Sequence, residues 1–86
     1  MKAIWKYVIT YEETSYEMPK GAQILSVQIQ GKDICVWALV NTEEKKTIRH
    51  IEMWGTGMPF NVDKKYSFIG TVQYGWLILH VFEIIE

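Results

Sequence analysis

The last strand-forming segment, Trp76–Ile85, is apolar on both of its faces. Successive side chains of a β-strand point to opposite sides, so alternate residues share a face. One face carries Trp76, Ile78, Phe82 and Ile84, and the other carries Leu77, Leu79, Val81 and Ile85. Such a strand belongs in the middle of a covered sheet or at a subunit interface. A chain of 86 residues has little interior in which to cover it, so we expect the protein to self-associate as a homo-oligomer.

The rest of the chain also predicts strands, because it is rich in β-forming residues and shows no helical periodicity. The other predicted strands are Ile4–Thr10, Thr14–Met18, Ala22–Gln30, Ile34–Val40, Thr47–Trp54 and Tyr66–Tyr74. Ile34–Val40 is apolar on both faces, which favours a central position. Thr14–Met18 is short and polar and runs into Pro19, which is typical of an edge strand. We predict one all-β domain over residues 1–86, a small antiparallel β-sandwich or barrel of about seven strands.

The charge balance argues against several classes of partner. Lysine and arginine number 9 and the acidic residues 10, which leaves no basic surface to attract DNA, RNA or an anionic membrane. The sequence contains neither a signal-peptide pattern in residues 1–10 nor an uncharged apolar run approaching the ~18 residues of a transmembrane helix. Cys35 is the only cysteine, which fits a reducing compartment. We expect a cytoplasmic protein that binds neither nucleic acid nor a membrane.

Few residues suggest catalysis or metal binding. Cys35 lies in the apolar segment Ile34–Trp37, which is more typical of a buried structural cysteine than of a nucleophile paired with His50 or His80. His50 and Glu52 are two residues apart on a predicted strand, and no third ligand is close in sequence. We therefore predict a protein that is not an enzyme, with no catalytic residue, no metal site and no cofactor.

The segment Gly55–Pro59, with the sequence Gly-Thr-Gly-Met-Pro, is the most distinctive loop. Its two glycines, Gly55 and Gly57, allow the backbone to approach a ligand closely, and consecutive N–H groups around Thr56 can form a nest for an anion. The alternative is a structural bulge and tight turn closed by Pro59. The segment lacks the Gly-Lys-Ser/Thr ending of a phosphate-binding P-loop.

Four further residues complete the candidate ligand site. Trp54 abuts the loop and can stack on a planar ring, whereas Arg49 and Lys20 are candidates for binding negative charge. His80 interrupts the most apolar strand, either as a buried histidine with one hydrogen bond or as a polar anchor facing a pocket or interface. Along one strand Arg49 lies roughly 20 Å from the loop, so the arginine must come from a neighbouring subunit unless the chain folds back. The other interpretation of the tryptophans, Trp76 included, is that they anchor the core.

Five short strings in this order resemble a family of short phage and prophage proteins described only as a domain of unknown function. They are Met18–Ala22 (MPKGA), Trp37-Ala38, Gly55-Thr56-Gly57-x-Pro59, Gly70–Gln73 (GTVQ) and His80–Glu83 (HVFE). The family often has histidine at the position of Met58, so this chain departs from it there. The resemblance implies a phage protein in a bacterial cytoplasm. By analogy of setting, such small proteins often counter host defence, some by sequestering nucleotide signals between identical subunits.

Two functional hypotheses follow. The first is a non-enzymatic, homo-oligomeric binding protein that captures a small nucleotide-like ligand, with the site residues Lys20, Arg49, Trp54, Gly55, Thr56, Gly57 and His80. The alternative is a protein-interaction module, a phage accessory protein or inhibitor that binds a host or virion protein through a flat β-surface. A polar pocket at a two-fold axis would favour the first hypothesis, and a broad exposed apolar patch would favour the second.

Overall fold

A computed structural model describes residues 1–61 and 63–85 of the chain, which form seven β-strands. The strands are β1 (Lys2–Ile9), β2 (Ser15–Pro19), β3 (Gln23–Gln30), β4 (Asp33–Asn41), β5 (Lys46–Gly55), β6 (Tyr66–Tyr74) and β7 (Leu77–Ile84). No helix occurs within these two ranges. None of the described residues therefore builds a helix of the length and apolar character that spanning a membrane requires.

The strands form two antiparallel sheets that face each other as a sandwich. The three-stranded sheet has the order β1-β4-β3, and the four-stranded sheet has the order β2-β5-β7-β6. The predictions of an all-β fold, of central positions for the two most apolar strands (β4 and β7) and of an edge position for β2 are confirmed. Because β7 is paired on both sides, the backbone of this strand offers no free edge to another subunit.

The core lies between the sheets and is built from the inward-facing residues of each strand. It consists mainly of Ile9, Met18, Ala22, Val27, Ile34, Val36, Ala38, Val40, Ile51, Met53, Val72, Leu79 and Val81. Cys35 alternates with the core residues of β4 and is nevertheless fully buried, as the sequence predicted for a structural cysteine. The period-2 pattern thus explains which side chains of each central strand face the core.

One side of the sandwich is closed by the close approach of β3 to β6. Each strand has an irregularity there, between Ile24 and Ser26 in β3 and between Phe68 and Gly70 in β6. A Cβ atom added at Gly70 would lie 2.8 Å from Cγ1 of Val27, so only glycine permits this contact. The two bulges bend the edges of the sheets towards each other.

Trp76 corrects the sequence-based interpretation. It was expected to begin the last strand and to anchor the core, but it lies in the β6–β7 turn and is 89% exposed. Tyr74 pairs with Leu77, so Gly75 and Trp76 form a two-residue hairpin turn. Gly75 adopts a φ of 63°, which a two-residue turn requires at its first position, and the side chain of the second turn residue projects into solvent.

Candidate functional site

An open apolar cleft lies at one end of the sandwich, where the edges of the two sheets separate. It encloses about 580 Å³, within the range of small-molecule and anchor-residue pockets. We call it the end cleft, and it is lined by Val8, Ile9, Thr10, Tyr11, Glu12, Lys32, Asp33, Ile34, Met53, Gly55, Met58, Tyr74, Leu77 and Leu79. The end of β1, the β3–β4 turn, the end of β5 and the β6–β7 hairpin all contribute, so four separate chain segments meet at this site.

The floor and the rim of the end cleft differ in chemistry. The floor is formed by core residues such as Ile34, Met53 and Leu79. The rim exposes large apolar side chains, with Val8 at 45% and Met58 at 44% of their accessible surface. The other exposed apolar residues of the rim are Tyr11, Tyr74 and Leu77. A small folded domain rarely leaves so many large apolar groups around one opening.

The predicted glycine loop forms a tight turn that carries Met58 to the end cleft. The N–H of Met58 donates to the carbonyl oxygen of Gly55 at 3.1 Å, and the N–H of Gly55 donates to Sδ of Met58 at 3.2 Å. The N–H of Thr56 donates to the carbonyl oxygen of Ile78 at 3.3 Å. The structural interpretation of the loop is therefore supported, because these three donors already have partners within the chain and cannot cradle an anion.

Trp54 and His80 come together on the outer face of the four-stranded sheet, where they are neighbours across β5 and β7. His80 is half-buried, with Nε2 at 2.8 Å from Oγ1 of Thr56 and Nδ1 at 3.0 Å from Oγ1 of Thr71. Two hydroxyl partners thus fix the imidazole ring, one more than a simple buried histidine was expected to have. Trp54 is half-buried beside it under Phe60, with ring centroids 4.8 Å apart.

Further aromatic residues extend this surface into what we call the aromatic face. Its rings, which contact one another at centroid distances of 4.7 to 6.5 Å, belong to Trp54, Phe60, Tyr66, Phe68 and Phe82. Desolvation raises the pKa of the Tyr66 phenol, and the Glu52 carboxylate raises it further through its charge and its hydrogen bond. Nε1 of Trp54 is buried and has no hydrogen-bond partner among the described residues.

Arg49 lies on the opposite side of β5 from Trp54, because the two positions differ by an odd number of residues. Its Nε and Nη2 donate to the Glu83 carboxylate, the second at 3.0 Å, and Nη1 donates to the carbonyl oxygen of Ala22 at 2.8 Å. This ion pair forms one wall of a polar opening of about 260 Å³ between β3 and β6, the ion-pair crevice. Arg49 is therefore engaged within its own chain, and nothing in its position brings it near the glycine loop.

Lys20 lies at the other end of the four-stranded sheet from Trp54. Its N–H donates to the carbonyl oxygen of Lys45 at 2.8 Å, just before β5 begins. Trp54 is near the last residue of the same strand, roughly 30 Å away at the usual rise per residue. Of the predicted site residues, the structure thus brings together Trp54, His80 and the glycine loop, and it separates both cations from them.

The described residues hold no group of three or more His, Cys, Asp or Glu side chains close enough to bind a metal ion. The exposed aliphatic and aromatic rim of the end cleft instead offers apolar contacts. Comparison with known proteins supports only the coarser part of the resemblance noted from the sequence, a domain of unknown function, and shows nothing of a phage origin or of the five motifs. A family model described as Domain of unknown function (DUF7352) matches residues 1–86. The chain belongs to this family. No curated protein and no solved structure matches it.

The sequence pattern indicates the glycine loop but not the end cleft that the loop helps to line. Tyr74, Leu77 and Val8 were assigned to strands, and apolar strand residues were assumed to be interior. One signal was present in the sequence: Tyr74-Gly75-Trp76-Leu77 places three large apolar residues around a two-residue hairpin turn, where polar residues are usual. The convergence of this hairpin with Met58 comes from the packing of the two sheets and cannot be read from either segment alone.

Proposed function

We propose that this domain is a non-enzymatic protein-interaction module that receives an apolar side chain of a partner protein in the end cleft. The observation that carries the proposal is the open, apolar cleft of about 580 Å³ beside a tryptophan that is 89% exposed. Trp76 follows Tyr74 by two residues and directly precedes Leu77, and both of these line the cleft. The apolar surface therefore extends beyond the cleft. A protein partner could cover this additional surface, whereas a small ligand bound in the cleft would not reach it.

The chemistry of the end cleft resembles the usual anatomy of an interface. Met53 in the floor and Met58 at the rim have flexible, polarisable side chains that adapt to the shape of an inserted group. Glu12, Lys32 and Asp33 place both signs of charge at the rim, so the apolar centre has a polar border. Tryptophan is among the residues that contribute most to binding when an interface covers it, and Trp76 is free to do so.

Selection of peptides against the whole protein tests this proposal. A random peptide library displayed on a carrier is selected on the immobilised chain, and enriched peptides are measured by fluorescence anisotropy. We expect enriched sequences with an aromatic or aliphatic anchor. Their affinity should fall by about thirtyfold or more with Met58→Lys or Trp76→Lys, the loss expected for a dominant interface residue.

Ile48→Lys provides the matched control, because Ile48 is 51% exposed on β5 and lies outside the end cleft. It introduces the same charge at a site of similar exposure, and peptide affinity should stay unchanged. The proposal fails if no peptide is enriched, or if Ile48→Lys weakens binding as much as Met58→Lys does.

The second candidate function is capture of a small nucleotide-like ligand in a homo-oligomer. Its support is the aromatic face, where the Trp54 N–H has no acceptor among the described residues and His80 lies alongside. Lys64, whose Nζ lies 3.6 Å from the Glu52 carboxylate at this face, offers a cation for a phosphate. Arg49 is the only arginine in the chain, so an identical subunit would present the same guanidinium, already paired with Glu83.

Calorimetry with a panel of cyclic and linear nucleotides separates the two candidates. The ligand hypothesis expects binding that is lost in Trp54→Leu and is retained in Trp76→Lys. No heat with any nucleotide would remove it and leave the interaction module. The setting implied by the sequence resemblance, a phage accessory protein or inhibitor acting in the bacterial cytoplasm on a host or virion protein, is part of the same proposal.

A further inference from the structure

Strand β1 offers an open backbone edge along its whole length. It is paired only with β4 among the described strands. The carbonyl oxygen of Met1 accepts from Thr42 on the extension of β4, so odd-numbered residues direct their N–H and C=O groups to that strand. The backbone groups of Lys2, Ile4, Lys6 and Val8 consequently point away from the sheet.

This edge ends at Thr10, whose N–H donates to the hydroxyl of Tyr16 at 3.1 Å. Between Lys2 and Ile9 the pairing with β4 is regular, with no bulge, and the strand contains no proline. Bulges and prolines are two of the devices by which proteins keep an edge strand from pairing with another chain. The edge is therefore regular, and its outward-pointing N–H and C=O groups are available to pair with another strand.

A lysine side chain that projects from an edge strand is a third protective device, but Lys6 of β1 points away from the edge. The side chain of Lys6 crosses the sheet, and its Nζ donates to Oε1 of Gln30 at 2.7 Å. Gln30 belongs to β3, two strands away from the edge, or roughly 10 Å at the usual strand spacing. The ammonium group is thus held over the middle of the sheet instead of shielding the edge.

We propose that two copies of this chain pair through β1, antiparallel and about a two-fold axis at Trp5. In this register Ile4 lies opposite Lys6 of the second copy, and Lys2 lies opposite Val8 of the second copy. Each pair of even-numbered residues exchanges two backbone hydrogen bonds. The two three-stranded sheets then become one continuous sheet.

The pattern of charges along β1 constrains the register of this pairing. A shift that centres the axis on Ile4 places Lys2 opposite Lys6 of the second copy, and a shift that centres it on Lys6 places the two Lys6 residues opposite each other. Like charges directly opposite one another destabilise a strand pair, so of these three registers only the central one, which also pairs all four outward-pointing residues with each other, avoids them. It also places a neighbouring strand beside Ile4, which is 60% exposed.

Sedimentation equilibrium of the full chain from micromolar to millimolar concentration tests the proposal. Wild-type protein should form dimers. Ile4→Glu should tighten the dimer and Ile4→Lys should weaken it, each by roughly three- to thirtyfold in dissociation constant, because symmetry creates the new pair with Lys6 twice. Gln30→Ala, which releases the Lys6 ammonium, should weaken dimerisation. Ile48→Glu and Ile48→Lys, at a similarly exposed strand position of the other sheet, are the controls and should change nothing.

Amide hydrogen exchange provides a second measurement. The amides of Lys2, Ile4, Lys6 and Val8 should become protected as the protein concentration rises, whereas the odd-numbered amides of β1 are protected throughout. A wild-type monomer at millimolar concentration would overturn the proposal. The same direction of change for Ile4→Glu and Ile4→Lys would overturn it too, since an axis at Ile4 or an interface elsewhere cannot give opposite signs.

Discussion

Two openings between the sheets, the ion-pair crevice and the end cleft, differ in whether their side chains find partners within the chain. In the crevice, Arg49 and Glu83 form an ion pair joined by two hydrogen bonds, and a backbone carbonyl accepts a third from the arginine. In the cleft, side chains such as Met58 and Leu77 remain exposed at the rim. The charged groups of the crevice find their partners within the chain, whereas the end cleft leaves apolar surface exposed that a partner can cover.

This difference shows where function is to be sought in a small β-domain. A charged residue is an obvious candidate for a binding site in a sequence, but a charged side chain between two sheets needs a partner, and Arg49 is paired with Glu83. An apolar residue is not an obvious candidate, because it is expected in the core. Its exposure around an opening is then the informative observation.

The first prediction concerns the ion-pair crevice and has the largest expected effect. Arg49→Ala leaves the Glu83 carboxylate, whose side chain is 10% exposed, without its counter-charge. Breaking one partner of a buried pair costs about 3–5 kcal/mol of the free energy of unfolding. Urea denaturation followed by circular dichroism measures this loss, and peptide binding to the end cleft should persist wherever the variant is folded.

A double variant tests whether the stability lost in Arg49→Ala comes from the unpaired charge of Glu83. Arg49→Met combined with Glu83→Leu removes both charges and keeps most of the volume, so it should recover most of the stability lost in Arg49→Ala. If Arg49→Ala unfolds no more easily than the wild type but abolishes ligand binding, the arginine is a binding residue and the comparison of the two openings is wrong.

The second prediction concerns the end cleft, where a substitution should affect binding more than stability. Trp76→Lys should change the free energy of unfolding by less than about 0.5 kcal/mol, because an exposed turn residue contributes little to the fold. The same substitution should cost about 2 kcal/mol or more of binding energy for the selected peptides. A fall in stability comparable to the fall in affinity would show that the indole supports the fold and would weaken the assignment of the cleft.

How much of this arrangement the sequence predicts depends on the range of the interactions. Alternation within a strand is local, so the strands, the central position of β4 and the burial of Cys35 were predicted correctly. The partner of Arg49 is 34 residues away on β7, and the end cleft joins four separate segments, so neither follows from local pattern. Trp76 was misassigned for a local reason. The apolar run begins at Trp76, but Gly75 and Trp76 form the two-residue turn, so the strand begins one residue later, at Leu77.

The third prediction uses the two hairpin turns of the end cleft, Gly31-Lys32 and Gly75-Trp76. Both glycines have a φ of 63°, and an added Cβ would meet no atom within 4 Å at either position. Gly31→Ala and Gly75→Ala should therefore each cost about 1–2 kcal/mol of stability, from backbone strain alone. Thermal denaturation should show similar losses. Peptide affinity should fall with Gly75→Ala, which re-aims Trp76, and change less with Gly31→Ala; equal effects on affinity would count against Trp76 as an anchor.

The smallest predicted effect concerns Tyr7, whose hydroxyl is buried near Arg49 and has no hydrogen-bond partner among the described residues. Burial raises the pKa of the Tyr7 phenol above its ordinary value of about 10, and the positive charge of Arg49 offsets part of this rise. The folded state therefore holds the phenolic proton more tightly than the unfolded state does. The resulting stability is fully present below about pH 10 and is lost as the pH rises through the folded-state pKa.

Tyr7→Phe removes both the hydroxyl and this alkaline sensitivity. At neutral pH the variant should be as stable as the wild type or more stable by up to about 1 kcal/mol, because no hydrogen bond is lost. Its unfolding free energy should also fall less steeply above pH 10. Tyr66→Phe is the matched control, since its hydroxyl donates to Glu52 at 3.3 Å and its removal should lower stability at neutral pH. Denaturation curves at neutral and alkaline pH decide between them, and a loss of stability in Tyr7→Phe as large as that in Tyr66→Phe would mean that the Tyr7 hydroxyl is satisfied after all.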